Sequence, residues 1–294
     1  MPELPEVETI RLGLRKVILN KKITNFEVRD LKVVQFAPEQ IIGSRIEEIE
    51  RRAKILIFKL DNKKSILTHL KMTGQLIWEE CSGEKDFCLK KSRVSGGHPS
   101  ADWVNKLPSA HTRAIFGFED ESVLFFNDLR RFGYMKLYET SELDQLTELK
   151  KLGPEPFGDK FTTQYLEERA KKVPNRKVKQ FITDQEIISG VGNIYVDEAL
   201  FEAGISPLRA VSEITTIEWG KIRESIRRAL ERGIKYGGSS EDTYVDAFGN
   251  AGTMSAHMKV YRRTGLPCEN NCGGEVKRIV LGGRGTHYCP NCQG

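Results

Sequence analysis

The chain has 294 residues, a formal net charge of +5 and 30% charged residues. This length accommodates two domains of ordinary size, each with its own core. The mildly basic balance suits a polyanionic partner without identifying one. No apolar run reaches the ~18 residues that a membrane span requires, and the acidic N-terminus lacks the basic region of a signal peptide. We therefore expect a protein that stays inside the cell and does not contact a membrane.

The first ten residues, MPELPEVETI, place a proline directly after the initiator methionine. We expect Met1 to be removed because a small residue follows it, which leaves Pro2 as an N-terminal secondary amine. An α-amino group titrates near ~8, so roughly a tenth of it is neutral at pH 7. Such an amine can add to a sugar C1′ and form an iminium, and Glu3 beside it can transfer a proton. Apolar residues at helical spacing from Val7 to Val17 predict a helix that holds this terminus in place.

Residues 20–78 alternate or run apolar in short segments between polar breaks, the pattern typical of β-strands. The predicted strands here are Ile23–Val28, Lys32–Phe36, Ile46–Arg51, Ile55–Leu60 and Ser65–Lys71, and two later ones are Arg113–Phe118 and Val123–Asn127. Residues 79–110 are polar and rich in Gly and Ser, which predicts a surface insertion or mobile loop. It contains Cys81 and Cys88, which we interpret as free thiols.

From residue 161 to residue 236 the apolar spacing becomes helical. The predicted helices are 162–172, 175–186, 193–203 and 215–236. In IISGVGNIY, between the second and third, Gly190 and Gly192 permit a tight turn and Asn193 can cap the next helix. Backbone N–H groups at such a positive helix end favour a phosphate. Nearby positive charges are Lys171, Lys172, Arg176, Lys177 and Lys179.

Four cysteines crowd the C-terminus with the spacing C-x3-C-x16-C-x2-C, and they are Cys268, Cys272, Cys289 and Cys292. Four thiolates in two close pairs fit one tetrahedral, structural zinc ion. The CPNC segment alone could be a redox pair, but no βαβ pattern surrounds it. Strands are predicted at Val276–Val280 and Thr286–Cys289, with Arg284 at the tip of the LGGRG turn between them.

The decapeptide, DLRRFG, LGPEPF, GVGNIY and the cysteine pattern together resemble the formamidopyrimidine-DNA glycosylases over nearly the whole chain. The predicted fold is multidomain α+β, with an N-terminal antiparallel β-sandwich and helix, a helix–two-turn–helix module and a C-terminal zinc-binding β-hairpin. The predicted bounds are 1–138 for the catalytic sandwich, 139–160 for a linker, 161–258 for the helical module with a loop capping the lesion, and 259–294 for the zinc finger. The chain departs from the family pattern at Leu129, where proline is usual, and in the x3 spacing of its first cysteine pair.

The resemblance also implies the site residues. The catalytic set would be Pro2 as nucleophile, Glu3 in opening the sugar, Lys54 in assisting elimination and Arg284 in gripping the phosphates that flank the lesion. The DNA-binding set would be Met72, Arg130 and Phe132, which fill the gap left by a flipped base, together with His111, Arg176 and Asn193. Without the resemblance, Lys54 and Arg284 would be interpreted as surface charges and Met72 as a core residue.

The function that this resemblance implies is base-excision repair of damaged double-stranded DNA. A monomeric DNA glycosylase and AP lyase would remove oxidised purines, namely 8-oxoguanine and formamidopyrimidines, and then cut the strand by β,δ-elimination. It would work in a bacterial cytoplasm, at the nucleoid. Two alternatives stay open: an endonuclease VIII-type glycosylase for oxidised pyrimidines, and a zinc-finger DNA-binding protein without catalysis. Leu4 and the DLRRFG motif argue against the first, and intact Pro2 and Glu3 against the second.

Overall fold

The computed structural model describes residues 1–80, 107–239 and 252–294, and the backbone alone of residues 93–97. The chain forms two compact units, Met1–Lys150 with Tyr236–Thr253, and Lys151–Lys235 with Met254–Gly294. Within the described ranges, no helix combines the length and the apolar character needed to cross a membrane. The domain bounds given above stay a prediction, and most of the proposed lesion-capping loop lies outside the described residues.

The first unit contains two antiparallel sheets, with strand orders β1-β7-β8-β5-β6 and β2-β3-β4-β9. The strands are β1 Ile23–Val28, β2 Ile46–Arg52, β3 Ile55–Leu60, β4 Lys64–His69, β5 Gly74–Glu79, β6 Arg93–Gly97, β7 Thr112–Phe118, β8 Val123–Asp128 and β9 Tyr134–Glu139. Two helices, α1 Leu4–Ile18 and α2 Thr147–Lys150, belong to the same unit. One apolar core includes residues of α1 and of both sheets, among them Leu14, Phe58 and Phe126. The predicted β-sandwich with its N-terminal helix is confirmed.

Three details of the strand prediction were wrong. Residues 32–36 form turns instead of a strand, because the Asp30 carboxylate accepts the N–H of Lys32 at 3.0 Å and the Asp30 carbonyl accepts that of Val34 at 2.9 Å. Strands β5 and β9 were missed, although β5 pairs with β8 and β9 completes the second sheet beside β4. The segment predicted as an insertion contains β6, which pairs with β5, while Cys81 and Cys88 lie outside the described residues.

The second unit is built from helices α3 Thr163–Ala170, α4 Val178–Ile182, α5 Asn193–Ala203 and α6 Thr216–Lys235, and from a hairpin of β10 Lys277–Leu281 and β11 Arg284–Tyr288. The second predicted helix, 175–186, is shorter in the structure. It ends at Ile182 because the Asp184 carboxylate accepts the N–H of Glu186 at 2.9 Å and its carbonyl accepts that of Ile188 at 2.9 Å. These bonds turn the chain toward the glycine-rich corner before α5.

That corner is fixed by one side chain. Gln185 accepts the N–H of Gly190 at 2.9 Å and donates to the carbonyl of Val191 at 2.7 Å. Gly190 has a φ of 85°, which only glycine adopts at little cost. Gly192 is the N-cap of α5, so Asn193 is the first helical residue and not the cap that its sequence position predicted.

The C-terminal hairpin region is attached to α5 through a buried carboxylate. Glu198 accepts three backbone N–H groups, from Lys259 at 2.9 Å, Val260 at 3.0 Å and Tyr261 at 2.9 Å. Apolar contacts continue this attachment, since Phe201 of α5 shares a core with Val260, Val276 and two of the cysteines. The predicted helical module and C-terminal hairpin are therefore confirmed, and they share one core.

Candidate functional site

The N-terminal residues are packed against the protein. Pro2 is buried and Glu3 is 3% exposed, whereas Met1 is 39% exposed. The Glu6 carboxylate fixes this stretch, because its Oε2 accepts the N–H of Glu3 at 2.8 Å and its Oε1 accepts that of Ser239 at 2.9 Å. The three-residue spacing between Glu3 and Glu6 is the signal of a capping box, which could have identified Glu6 from the sequence.

A second carboxylate links α1 to the hairpin that carries Lys54. Glu8 pairs with Arg51 at 3.0 Å, and the same arginine donates to the carbonyl of Ala53 at 2.9 Å. Burial raises the pKa of Glu8, but Arg11 and Arg51 outweigh it and hold the pKa below its usual value. Lys54 follows Ala53, whose φ is 55°, and is itself buried. Its sequence context alone would have predicted a solvated lysine.

Beside Lys54, a histidine supports the turn that carries Met72. His69 pairs with Ile55 across β3 and β4, and its Nδ1 accepts the N–H of Lys71 at 3.0 Å. Burial, together with the positive charges of Lys71 and Lys54, lowers the pKa of His69 to about 3. The ring is therefore neutral at physiological pH. Met72, at the end of this turn, is exposed.

Met72 lies close to the DLRRFG turn because two side chains join them. Asp128, 0% exposed, ends β8, and its Oδ2 accepts the N–H of Gly133 at 2.7 Å. The Thr73 hydroxyl donates to Asp128 Oδ1 and accepts the N–H of Arg130 at 3.0 Å. The Arg130 guanidinium lies over the Phe132 ring at 4.6 Å, and Phe132 is 50% exposed. The structure thus brings together Met72, Arg130 and Phe132.

His111 adjoins the same place through the backbone. Its carbonyl accepts the N–H of Asp128 at 2.9 Å, and its side chain is half-buried. Arg113 bonds to the end of β8 and to the residue before His111. Its Nε donates to the Asp128 carbonyl at 2.9 Å, and its Nη1 donates to the Ala110 carbonyl at 3.3 Å. The first unit therefore contains seven predicted site residues: Pro2, Glu3, Lys54, Met72, His111, Arg130 and Phe132.

In the second unit, Arg284 is exposed and follows a turn that requires two glycines. Gly282 and Gly283 have φ values of 58° and 74°. The carbonyl of Gly285, directly after Arg284, accepts the Asn193 amide at 3.0 Å and Lys179 Nζ at 3.1 Å. The finger turn is therefore held by α4 and α5, and Asn193 uses its amide hydrogens within the protein.

Two predicted basic residues have acidic partners. Lys179, predicted as one of the positive charges near the glycine turn, is 2% exposed and pairs with Asp197 at 2.7 Å, so its charge is compensated inside the protein. Asp197 also accepts the backbone N–H of His287 at 2.8 Å, which connects α5 to β11. Arg176 is partly exposed and pairs with Asp184 at 2.7 Å. Sequence analysis missed Asp197 and His287, whose polar pairing depends on the tertiary fold.

The cysteines converge on one point. Their four Sγ atoms lie within 4.8 Å of one another, with Cys268–Cys292 at 3.6 Å and Cys272–Cys289 at 3.5 Å. Zinc–sulfur bonds of about 2.3 Å in a tetrahedron place sulfurs about 3.8 Å apart, so the thiolates fit this metal. The extra residue of the first pair is absorbed by Asn271, which has a φ of 51°.

Known domain families match most of the chain. The formamidopyrimidine-DNA glycosylase N-terminal domain matches residues 1–135, and the H2TH domain of the same glycosylases matches residues 152–245. The zinc finger found in FPG and IleRS matches residues 265–294, which contain the four converging thiolates. The protein therefore holds one structural zinc ion.

Individual proteins match over the whole length. The formamidopyrimidine-DNA glycosylase of an Exiguobacterium strain is 37% identical, with 100% of this chain and 99% of the relative covered. That of Ligilactobacillus salivarius is 38% identical with the same coverage. Lactococcus lactis Fpg in complex with DNA containing an abasic site is 32% identical, with a TM-score of 0.84 and 99% of both chains covered. The chain belongs to the formamidopyrimidine-DNA glycosylase family.

Proposed function

We propose that this chain removes oxidised purines from duplex DNA and then cuts the strand at the resulting abasic site. The observation that carries the proposal is the buried N-terminus, where Glu6 holds the residues beside Pro2 at the start of α1. The family supports the substrate class, since a point mutant of Lactococcus lactis Fpg has been crystallised with DNA containing Fapy-dG. We extend this class to 8-oxoguanine.

The proposed chemistry begins after Met1 is removed. The target nucleotide leaves the base stack, as it must for any enzyme that acts on a base in a duplex. The neutral Pro2 nitrogen attacks C1′, the C1′–base bond breaks, and the base leaves with the bonding electrons and takes up the proton that the Pro2 nitrogen loses. Glu3 transfers a proton to the sugar ring oxygen, so that the ring opens to an iminium between Pro2 and C1′.

Strand cutting follows from the same iminium. The positive charge acidifies the C2′ proton, whose loss expels the 3′ phosphate, and a second elimination expels the 5′ phosphate. We assign assistance in elimination to Lys54, whose buried side chain belongs to the hairpin that Arg51 ties to α1. Hydrolysis of the final iminium by water releases Pro2 as the free amine.

The DNA contacts are assigned by chemistry and exposure. Met72 and Phe132 offer exposed apolar surfaces that can enter a base step, and Arg130 offers planar donors to the unpaired base. Arg284 offers an exposed guanidinium to phosphate. We assign weaker DNA contacts to His111, Arg176 and Asn193. The relatives named above are bacterial, and we place this activity in a bacterial cytoplasm, on nucleoid DNA.

Borohydride trapping tests this proposal. Matched duplexes would carry 8-oxoguanine, Fapy-dG, an oxidised pyrimidine or no lesion, and trapped protein would be counted after denaturing electrophoresis. We expect covalent capture on the purine lesions, and mass spectrometry of the peptide should locate the adduct at Pro2. Faster capture on the pyrimidine would favour the endonuclease VIII type. Binding without capture on any duplex would indicate the inactive zinc-finger protein.

A further inference from the structure

Met72, Arg130 and Phe132, which we assign to the duplex, lie on two turns that adopt unfavourable backbone conformations. Lys71, before Met72, has a φ of 51°, and Arg131, between Arg130 and Phe132, has a φ of 57°. Non-glycine residues occupy this left-handed region rarely, and they stay there only where surrounding contacts determine the conformation. The contacts that hold the two turns therefore help to set the directions in which these side chains point.

One hydroxyl connects the two turns directly. Thr73, next to Met72, donates to Asp128 and accepts from the backbone N–H of Arg130 at 3.0 Å. A hydroxyl carries one donor and two acceptor positions, so it can serve both partners at once. Valine, with the same shape, can serve neither. Thr73 is thus the point at which the position of Met72 is coupled to that of Arg130.

The acceptor of this bond is buried. Asp128 is fully buried, and its second oxygen accepts the N–H of Gly133 at 2.7 Å, at the far end of the DLRRFG turn. A buried carboxylate that loses a hydrogen-bond partner keeps its full desolvation cost, so its hydrogen bonds resist breaking. The carboxylate therefore closes the turn from one side and holds Thr73 from the other.

Close packing adds a second link. A Cβ at Gly133 would lie 3.0 Å from Asp128 Oδ2 and 3.0 Å from the carbonyl of His69, which precedes the Met72 turn. The DLRRFG turn thus fits against the base of the neighbouring turn without spare room. Two turns that are distant in sequence are held at both their tips and their bases.

We propose that Thr73 is a positioning residue, which with Asp128 makes Met72, Arg130 and Phe132 enter the duplex as one rigid group. The inference rests on the proposed function, because it takes these three side chains to occupy the gap left by the flipped base. Two independent turns would each lose conformational entropy when the DNA binds. Two joined turns are already ordered in the free protein, so this loss on binding is smaller. Thr73 itself touches no DNA in this role.

The test measures single-turnover release of 8-oxoguanine from duplexes with C, A, G or T opposite the lesion. Thr73→Val should slow release opposite C about 5- to 10-fold, the effect of losing one hydrogen-bonded group. It should also reduce the ratio of rates between C and A. Thr73→Ser, which keeps the hydroxyl, should restore both values. Thr24→Val, the same change on an exposed position of β1, should alter neither.

A double-mutant cycle separates positioning from general destabilisation. In an Arg130→Ala background, Thr73→Val should slow release by a smaller factor than in the wild type, because one member of the group that Thr73 positions is already missing. Equal effects in both backgrounds would overturn the inference, as would a Thr73→Val protein with wild-type rates. Asp128→Asn serves as a second variant where it folds. A harmless Arg130→Ala change would instead remove Arg130 from the proposed site, and an absence of borohydride trapping would refute the proposed function itself.

Discussion

The carboxylate of Glu6 accepts the backbone N–H of Ser239 at 2.9 Å, so the first turn of α1 is bonded to a segment more than two hundred residues later in the chain. The other oxygen of the same carboxylate holds Glu3. One side chain therefore fixes both the N-terminal stretch and Ser239, near the start of the predicted lesion-capping loop, residues 237–257. Its replacement should affect two parts of the first unit at once.

We expect Glu6→Gln to reduce the free energy of unfolding by about 1.5–3 kcal/mol, because a buried charged acceptor with two backbone donors is replaced by an amide that can satisfy only one. Single-turnover base release should slow as well, since Pro2 loses its fixed neighbour. Urea unfolding and burst kinetics measure the two effects. Glu47→Gln, at an exposed position of β2, is the matched control and should leave both unchanged. An unaltered Glu6→Gln protein would show that the terminus is held by other contacts.

Blocking the N-terminal amine should abolish both base release and borohydride trapping. A leader peptide, or retention of Met1, converts the Pro2 nitrogen into a tertiary amide that has no nucleophilic lone pair. Pro2→Gly leaves a primary amine after Met1 removal and should keep reduced activity. Intact-mass measurement of each preparation accompanies the assay. A protein that retains Met1 and has full activity would exclude Pro2 as the nucleophile.

The depressed pKa of His69 should make stability depend on pH. Its folded pKa is about 3, against about 6.5 in an unfolded chain, so the unfolded state binds more protons between these values. Stability is then full above pH ~6.5 and falls by at most about 1.4 kcal/mol per pH unit as the pH drops toward 3. Urea unfolding at pH 7, 6 and 5 should show a shallower decline for His69→Asn than for wild type. His257→Asn, at an exposed position, should follow wild type. Parallel curves for all three proteins would contradict a buried neutral His69.

Loss of the metal and loss of the finger arginine should have different signatures. Cys289→Ser should release zinc and abolish DNA binding, while the β-sandwich of the first unit stays folded. Arg284→Ala should keep zinc and still weaken lesion binding, with a shallower salt dependence because one phosphate contact is gone. Metal analysis and DNA titration at several salt concentrations distinguish the two variants. Tight lesion binding by the zinc-free protein would remove the finger from the site.

Features that depend on local spacing were predictable from the sequence. The α1 helix, the strands from β1 to β4, the glycine corner before α5 and the cysteine cluster all follow from period, turn residues or ligand spacing. The structure and the family matches confirm the predicted fold class and the zinc ion. Each signal lies within about thirty neighbouring residues, so no knowledge of distant contacts was needed.

Features that depend on distant pairing were not predictable. Lys179 has the sequence context of a surface lysine, yet it is buried because α5 supplies Asp197 as its partner. Residues 32–36 have the composition of a strand, yet Asp30 turns the chain there, and its carboxylate is held by the distant Arg131 at 2.6 Å. Asp128 is the first residue of the DLRRFG motif, and Thr73 directly follows Met72, so the sequence shows both residues. Their connection appears only once β5 and β8 are paired, at the register that places Gly74 opposite Asp128.

The attachment of the hairpin to α5 limits how the zinc finger can be used outside this protein. Its cysteines share a core with Phe201, Gln293 donates to the carbonyl of Ile205 at 2.9 Å, and Glu198 accepts the N–H groups of residues 259–261, ahead of the first cysteine. A graft of residues 265–294 onto a foreign scaffold would expose that apolar face and leave the Gly285 carbonyl without its two donors. The smallest transplantable unit therefore includes α4 and α5. A protein engineer who wants to move this zinc finger to another scaffold must transfer the finger, α4 and α5 together.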